Sequence, residues 1–147
     1  MKLSTRTRYA ARALAELAKV EPPGTVSLQD VARSQELSPK YLERIFITFR
    51  ARGLLRTVRG PHGGYALARP PETITLREVC EILEGPVAPV DCVDCPESCP
   101  RKDICPTRDT WVEITQAVVG VLERTTIRDL AERRKERAEA SPPMYHI

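Results

Sequence analysis

Apolar positions near the start of the chain recur at helical spacing. Tyr9, Ala10, Ala13, Leu14 and Leu17 share one face, which predicts a first helix over about residues 4–19. Glu21-Pro22-Pro23-Gly24 ends it, since proline and glycine do not continue a helix. Ser27, a good N-cap, opens a short second helix with Leu28, Val31 and Ala32 inward, and Glu36-Leu37 makes a turn. Ser38-Pro39 starts a third helix, because proline suits the first helical position. Leu42, Ile45, Phe46 and Phe49 then line its inner face, leaving Lys40, Glu43, Arg44 and Arg50 for the others. Gly53 stops it.

Two short strands follow, at 54–58 and 65–67, joined by the turn-rich tip Arg59-Gly60-Pro61-His62-Gly63-Gly64. Three helices followed by a hairpin with a basic, glycine-rich tip is the layout of a winged helix. After Arg69-Pro70-Pro71, Thr75 caps a helix to about residue 83, with Leu76, Val79, Cys80 and Leu83 inward. Residues 85–106 read as a loop, and a long helix over about 107–123 comes next. Its stripe of Trp111, Ile114, Val118, Val121 and Leu122 exceeds what a helix tacked onto a small domain needs, which makes it a candidate dimer seam. A last short helix begins near Thr126 and carries Ile127 and Leu130, and the charged tail from Glu132 is expected to fray.

The expected fold is therefore mostly α with a small β-hairpin: a winged helix-turn-helix with a long dimerisation helix. Its parts are a DNA-binding region at 1–70, a connecting helix at 71–84, a cysteine-rich loop at 85–106, the dimerisation and short C-terminal helices at 107–131, and a flexible tail at 132–147.

Composition narrows the partners. With 41% hydrophobic and 29% charged residues the chain reads as an ordinary soluble globular protein. No apolar run is long enough to cross a membrane, and the first residues lack a signal-peptide core, so a cytoplasmic location is expected. The charge is unevenly spread. Residues 1–70 hold 13 Lys+Arg against 5 Asp+Glu, a balance of +8, and the remainder holds 10 against 15, a balance of −5. Helix-turn-helix spacing alone also suits a small helical domain with no nucleic-acid role. The basic N-terminal half and the wing tip argue for a polyanion partner instead.

Such a fold places its recognition helix in the major groove, with side chains near that helix's N-terminus reaching base edges. The candidate DNA-binding residues are Ser38, Pro39, Lys40, Tyr41, Glu43 and Arg44 on the helix, and Arg59, Gly60, His62 and Gly63 on the wing. Arginine can fork onto guanine and glutamate can accept from the cytosine amino group. The wing arginine suits the negative potential of a narrow minor groove.

Four of the five cysteines, Cys92, Cys95, Cys99 and Cys105, fall within fourteen residues. In a reducing compartment that clustering points to metal or redox chemistry rather than disulfides. Soft thiolates favour iron–sulfur clusters or zinc, but the run lacks the two separated C-x2-C knuckles usual for zinc. Pro96, Pro100 and Pro106 each follow a cysteine, as in ferredoxin loops. A reversible disulfide such as Cys92–Cys99 stays open. Cys80 lies on an apolar helix face and reads as core, and His146 in the tail reads as inert.

The chain resembles the IscR-like, or Rrf, family of winged helix-turn-helix transcription regulators, which includes IscR, NsrR and CymR. The resemblance is carried by Met1-Lys2-Leu3-Ser4 leading to Arg8-Tyr9-Ala10, by Leu37-Ser38-Pro39-Lys40-Tyr41-Leu42-Glu43, by Val58-Arg59-Gly60-Pro61-His62-Gly63-Gly64-Tyr65, and by Cys105-Pro106-Thr107 before Trp111. It covers roughly residues 1–130. It implies a homodimer on partly palindromic promoter DNA, paired through the helix at 111–122. Glu43 matches a glutamate that influences which class of site is read, and Arg59 matches the wing arginine.

The resemblance also implies an iron–sulfur centre held by three loop cysteines, the last two separated by five residues. Cys99 and Cys105 keep that spacing, and Cys92 best matches the first. Where IscR supplies a histidine this chain has Arg108, and where NsrR-type members draw a carboxylate it has Arg8. A guanidinium cannot be the fourth ligand. Cys95 is the substitute, although the register leaves open which of Cys92 and Cys95 is the outlier. A two-iron cluster is favoured, with a four-iron one as the alternative.

The expected function is a regulator, mainly a repressor, whose operator choice depends on the cluster and whose genes concern iron–sulfur biogenesis. Sensing of nitric oxide or thiol redox state is the alternative within the family. Outside it stand a zinc-stabilised interaction module and a thiol oxidoreductase built on Cys92-x2-Cys95. The oxidoreductase would need a strand-rich fold that this pattern lacks, so no enzymatic activity is expected.

Overall fold

The computed structural model describes residues 3–22 and 24–140, so His146 and the last seven residues of the expected tail lie outside it. Helices α1 (Thr5–Leu17), α2 (Leu28–Gln35) and α3 (Pro39–Ala51) come first. They are followed by strands β1 (Leu55–Val58) and β2 (Gly64–Leu67), and then by helix α4 (Leu76–Glu84). A one-turn helix α5 (Asp91–Asp94), the long helix α6 (Arg108–Arg124) and helix α7 (Ile127–Ala140) complete the described chain. The winged-helix class expected from the pattern is what the chain adopts.

Helix starts are set by hydroxyls. The side chains of Ser4, Ser27, Ser38 and Thr75 accept from the backbone N–H groups of Thr7, Asp30, Tyr41 and Glu78 at 3.1–3.3 Å. Each satisfies a donor that the helix itself leaves without a partner. Helix α3 ends in a Schellman arrangement: Gly53 takes φ +74°, and the Leu54 N–H donates back to the Phe49 carbonyl at 2.9 Å. Helix α2 ends the same way, except that Glu36, at φ 56°, occupies the left-handed position usually given to glycine. That conformation bends the chain sharply enough to set α3 across α2.

The inner faces meet in one core. Leu14, Val31, Leu42, Ile45, Phe46 and Phe49 are fully or almost fully buried, joined by Leu54 from the approach to the hairpin and Ile74, Val79 and Ile127 from beyond it. The two strands pair antiparallel, Leu55 opposite Leu67 and Val58 opposite Gly64. Val26, just before α2, adds a two-bond bridge to Tyr65 at 2.8 and 2.9 Å. A smaller cluster of Cys80, Val87 and Leu122, with Val118 against it, fixes α6 to α4. Burial there pushes the Cys80 thiol up to about 11, with Glu84 and Glu81 adding to the shift, so it stays a neutral packing group.

Two sequence expectations change. The cysteine segment is not an open loop throughout, since it forms α5 and a 3-10 turn at Pro96–Ser98, started by a proline at its first position. The chain after Glu132 does not fray at once, because α7 continues to Ala140. Thr126 and Asp129 cap α7 reciprocally: the Asp129 carboxylate accepts the Thr126 N–H at 2.7 Å, and the Thr126 hydroxyl accepts the Asp129 N–H at 3.2 Å. Arg128 then pairs with Glu72 and Arg134 with Glu16, which ties a helix of weak apolar character to the body.

The N-terminus of α1 is fastened to the end of α4 by Glu84, which accepts from the hydroxyls of Ser4 and Thr7. These two bonds, Ser4 first, hold the Glu84 carboxyl below its ordinary value of 4.5. A group depressed on folding adds stability that is complete above that value and is lost as pH falls through the folded pKa. Glu84→Gln is therefore expected to flatten the fall in unfolding midpoint between about pH 5 and pH 3. Chemical denaturation across that range measures it, and an unchanged slope removes Glu84 from the acid response.

Candidate nucleic-acid interface and cysteine loop

The candidate recognition surface is built from α3 and the hairpin. Lys40, Glu43 and Arg44 are exposed on the face of α3 opposite its buried Leu42, Ile45, Phe46 and Phe49. Ser38 caps the helix and Pro39 occupies its first turn, so both shape its N-terminus. Tyr41 is half-buried, with its ring edge-on to Tyr9 at 6.4 Å between centroids. It thus buttresses α3 against α1 while keeping part of its surface open.

On the wing, Arg59, Gly60 and His62 are exposed and Gly63 is half-buried. Gly60 takes φ +119°, a conformation side-chain-bearing residues rarely adopt. At Gly64 a Cβ would stand 2.4 Å from the Val26 carbonyl oxygen, so glycine is what lets the Val26 bridge form. The Thr25 hydroxyl donates to the His62 carbonyl at 2.8 Å and anchors the tip. Underneath, the Phe46 and Tyr65 rings meet at 4.9 Å and 63°, coupling recognition helix to wing.

Sequence reasoning missed Thr25, Val26 and Tyr9 as supports. Their signal, a β-branched pair after Pro-Pro-Gly and an aromatic on the first helix, acquires meaning only once the partners are known. Gln35 was also missed. It is 3% exposed at the end of α2, accepts from Arg12 Nε at 3.0 Å, and donates to Glu16 at 3.3 Å and to Ser34 at 3.0 Å.

In the cysteine segment, Cys92 lies on α5, Cys95 follows it, Cys99 follows the 3-10 turn, and Cys105 stands three residues before α6 begins. Cys95 is exposed and the other three are half-buried. The Cys105 sulfur is 3.4 Å from the Thr107 hydroxyl. That hydroxyl first, then the Thr107 backbone N–H and the neighbourhood of Arg108, hold the Cys105 thiol below its usual range.

Arg108 keeps a buried Nε with no hydrogen-bond partner, and its backbone N–H reaches the Cys105 carbonyl at 3.4 Å. Four thiols on one segment, with the cationic Arg108 close to Cys105, suit an anionic thiolate-bound centre in donor type and charge. The arrangement is not yet a cage. Among the described residues no three His, Cys, Asp or Glu side chains are gathered so as to hold one metal ion. The backbone between Cys92 and Cys105 would have to draw the thiols together.

A capped helix-turn-helix with exposed basic side chains, followed by a two-stranded wing braced on its recognition helix, defines a DNA-binding transcription regulator. No helix among the described residues is long and apolar enough to cross a membrane. The family model described as "Rrf2: Iron-dependent Transcriptional regulator" matches residues 3–133, and the chain belongs to this Rrf2 family. It is 40% identical over 131 residues to the HTH-type transcriptional regulator CymR of Bacillus subtilis, covering 89% of this chain and 90% of that one. The structure of CymR, the global cysteine regulator of B. subtilis, superposes with TM-score 0.76 at 37% identity, covering 90% of this chain and 98% of that one. The structure of T. potens IscR superposes with TM-score 0.77 at 32% identity over 99% and 97%. These relatives are regulators, and this chain is a regulator rather than an enzyme.

Proposed function

We propose that the chain acts in the cytoplasm as a homodimeric regulator, mainly a repressor, and that an iron–sulfur centre on its cysteine loop controls which promoter sites it reads. Its genes then concern iron–sulfur assembly. The observation that carries this reading is the loop's attachment. The cysteine run ends three residues before α6, and α5 packs on that helix. Much of the outer apolar side of α6 stays uncovered in the single chain, with Ile114 at 38% and Val121 at 47% exposure. A change in the loop is thus delivered to the helix best suited to join two protomers. The description of the family as iron-dependent supports the same reading.

Cys92, Cys95, Cys99 and Cys105 would hold the centre, which when bound supplies a redox- and ligand-sensitive cross-link across the loop. The chain's own contribution is to orient those thiols and to offset their charge with Arg108. Because metal holds a loop only where its ligands converge, each lost ligand lowers occupancy. In anaerobically purified protein, Cys99→Ser and Cys105→Ser are expected to abolish the coloured cluster by iron, sulfide and absorption analysis. Cys95→Ser is the discriminating variant. Full iron content and an unchanged spectrum in it would place the fourth ligand outside the loop.

DNA reading is assigned to Ser38, Pro39, Lys40, Tyr41, Glu43 and Arg44 with Arg59, Gly60, His62 and Gly63. Arg59→Ala is expected to cost about 1–3 kcal/mol of operator affinity. Lys40→Ala should weaken binding to all sequences evenly and flatten the salt dependence. Gel shifts at matched salt check both, and an Arg59→Ala protein of parental affinity ends the wing assignment.

A second reading is favoured by the separated thiols and by the depressed Cys105 thiol. The loop then senses through thiol oxidation, in keeping with the likeness to a cysteine regulator. Iron-free protein whose operator binding responds to peroxide and recovers with dithiothreitol would establish it over the cluster.

A further inference from the structure

Helix α3 carries one large apolar side chain that takes no part in the core. Leu42, Ile45, Phe46 and Phe49 are buried, whereas Ile47 is 50% exposed. Among the described residues only Ile104 is a more exposed large apolar side chain. Ile47 follows Lys40 by seven residues, which at about 3.6 residues per turn places it two turns further along almost the same line. Arg44 and Glu43, three and four residues before it, are exposed on either side of that line. Ile47 thus stands near the middle of the exposed face, opposite the core and among charged neighbours.

A lone exposed apolar residue needs no explanation by itself. Here two further features bear on it. Isoleucine is β-branched and forms helix less readily than the lysine, glutamate and arginine around it, so neither the core nor the helix calls for it at this position. The same face is the one that the proposed function sets in the major groove, where the C5-methyl of thymine is the apolar group a base edge presents. Thr48, the next residue with a methyl group, is held elsewhere. Its hydroxyl donates to the Arg44 carbonyl at 3.2 Å and accepts from Arg6 at 3.5 Å.

The mechanics of α3 suit such a contact. A β-branched side chain is stiff at its first torsion, so it presents a fixed shape where lysine or arginine would adapt. The Phe46–Tyr65 ring contact braces the helix against the wing and so fixes how the two enter DNA together. A helix rises about 1.5 Å per residue, so Ile47 lies about 4.5–6 Å beyond Arg44 and Glu43, against about 3.4 Å for one base-pair step.

We infer that Ile47 is a specificity residue that packs on a thymine methyl in the major groove, within two base pairs of the pair met by Glu43 and Arg44. The inference rests on the reading of DNA by α3 proposed above. Its test starts from duplexes selected out of a random pool by the full chain. The selected half-site should contain a fixed thymine, and replacing it by deoxyuridine, which removes only the methyl group, should weaken binding about three- to fivefold per half-site. Ile47→Ser should lose both the preference and the uracil penalty, with its circular dichroism, its salt dependence and its affinity for non-operator DNA unchanged. Ile47→Val should keep most of the penalty. A parent that selects no sequence overturns the assignment of α3 to DNA and this inference with it. A parent that selects a site indifferent to uracil at every thymine overturns this inference alone. So does Ile47→Ser with the parental site and penalty, or with an even loss on all duplexes, for the side chain then packs on the sugar–phosphate backbone. A changed sedimentation coefficient for Ile47→Ser would overturn it too, by placing the residue between copies of the chain.

Discussion

Ile114→Glu combined with Val121→Glu is expected to turn the regulator into a folded monomer. Along α6, Val118 and Leu122 face the Cys80 cluster, while Ile114 and Val121 lie along the exposed edge of the same stripe. The glutamates are solvated in a lone protomer, so the packing of α6 on α4 is left intact. Brought against a second copy they would bury charges with no partner, at a cost far beyond what an ordinary interface contact returns. Sedimentation should show monomer at micromolar concentration with an unchanged circular dichroism spectrum. Affinity for a two-half-site operator should fall by roughly 10²–10⁴-fold as the linkage between the two readers is lost. A variant that stays a tight dimer places the interface elsewhere.

Phe46→Ala should produce the largest loss of stability in a single chain. The ring is wholly buried among α1, α3 and the hairpin and lies edge-on to Tyr65. Truncating such a phenylalanine costs about 3–5 kcal/mol through lost transfer energy and the cavity left behind. Domains of this kind hold only about 5–15 kcal/mol in all. The thermal midpoint is expected to fall by roughly 6–20 °C. Tyr65→Leu in the same background should couple with it by about 0.5–1.5 kcal/mol, because the ring pair is lost only once. A drop below about 1 kcal/mol would mean that the site collapses around the cavity and that the wing is braced by other contacts.

The winged-helix half was legible because its signals are local. Serine before an apolar run marked the starts of α2 and α3, and Gly53 and the Gly-Pro-His-Gly-Gly tip marked where the chain turns. The stripe on α6 was legible as apolar, but period alone does not tell which edge meets α4. Val118 and Leu122 therefore had to be separated from Ile114 and Val121 by their packing. Helix α7 was read too short because it has almost no apolar stripe. Its length depends on the Thr126–Asp129 cap and on Glu16 and Glu72, which are far away in sequence. Helix α5 is only four residues long, less than the period that would reveal it. Buried Gln35 left no trace at all, since its three partners come from α1 and from its own neighbour.

The bridge between Val26 and Tyr65 limits how such a regulator can be retuned. It ties the wing to the chain entering α2, while the Phe46–Tyr65 contact ties the wing to α3. The surface that reads one half-site is therefore a single stiff piece, and the hairpin has little freedom to swing alone. Under the proposed function, a signal arriving from the cysteine loop would have little purchase on the shape of that piece. What it can alter is the distance and twist between two such pieces. Sites would then be sorted by the spacing of their halves more than by the bases within each half, and a new target could be acquired by inserting or deleting base pairs at its centre.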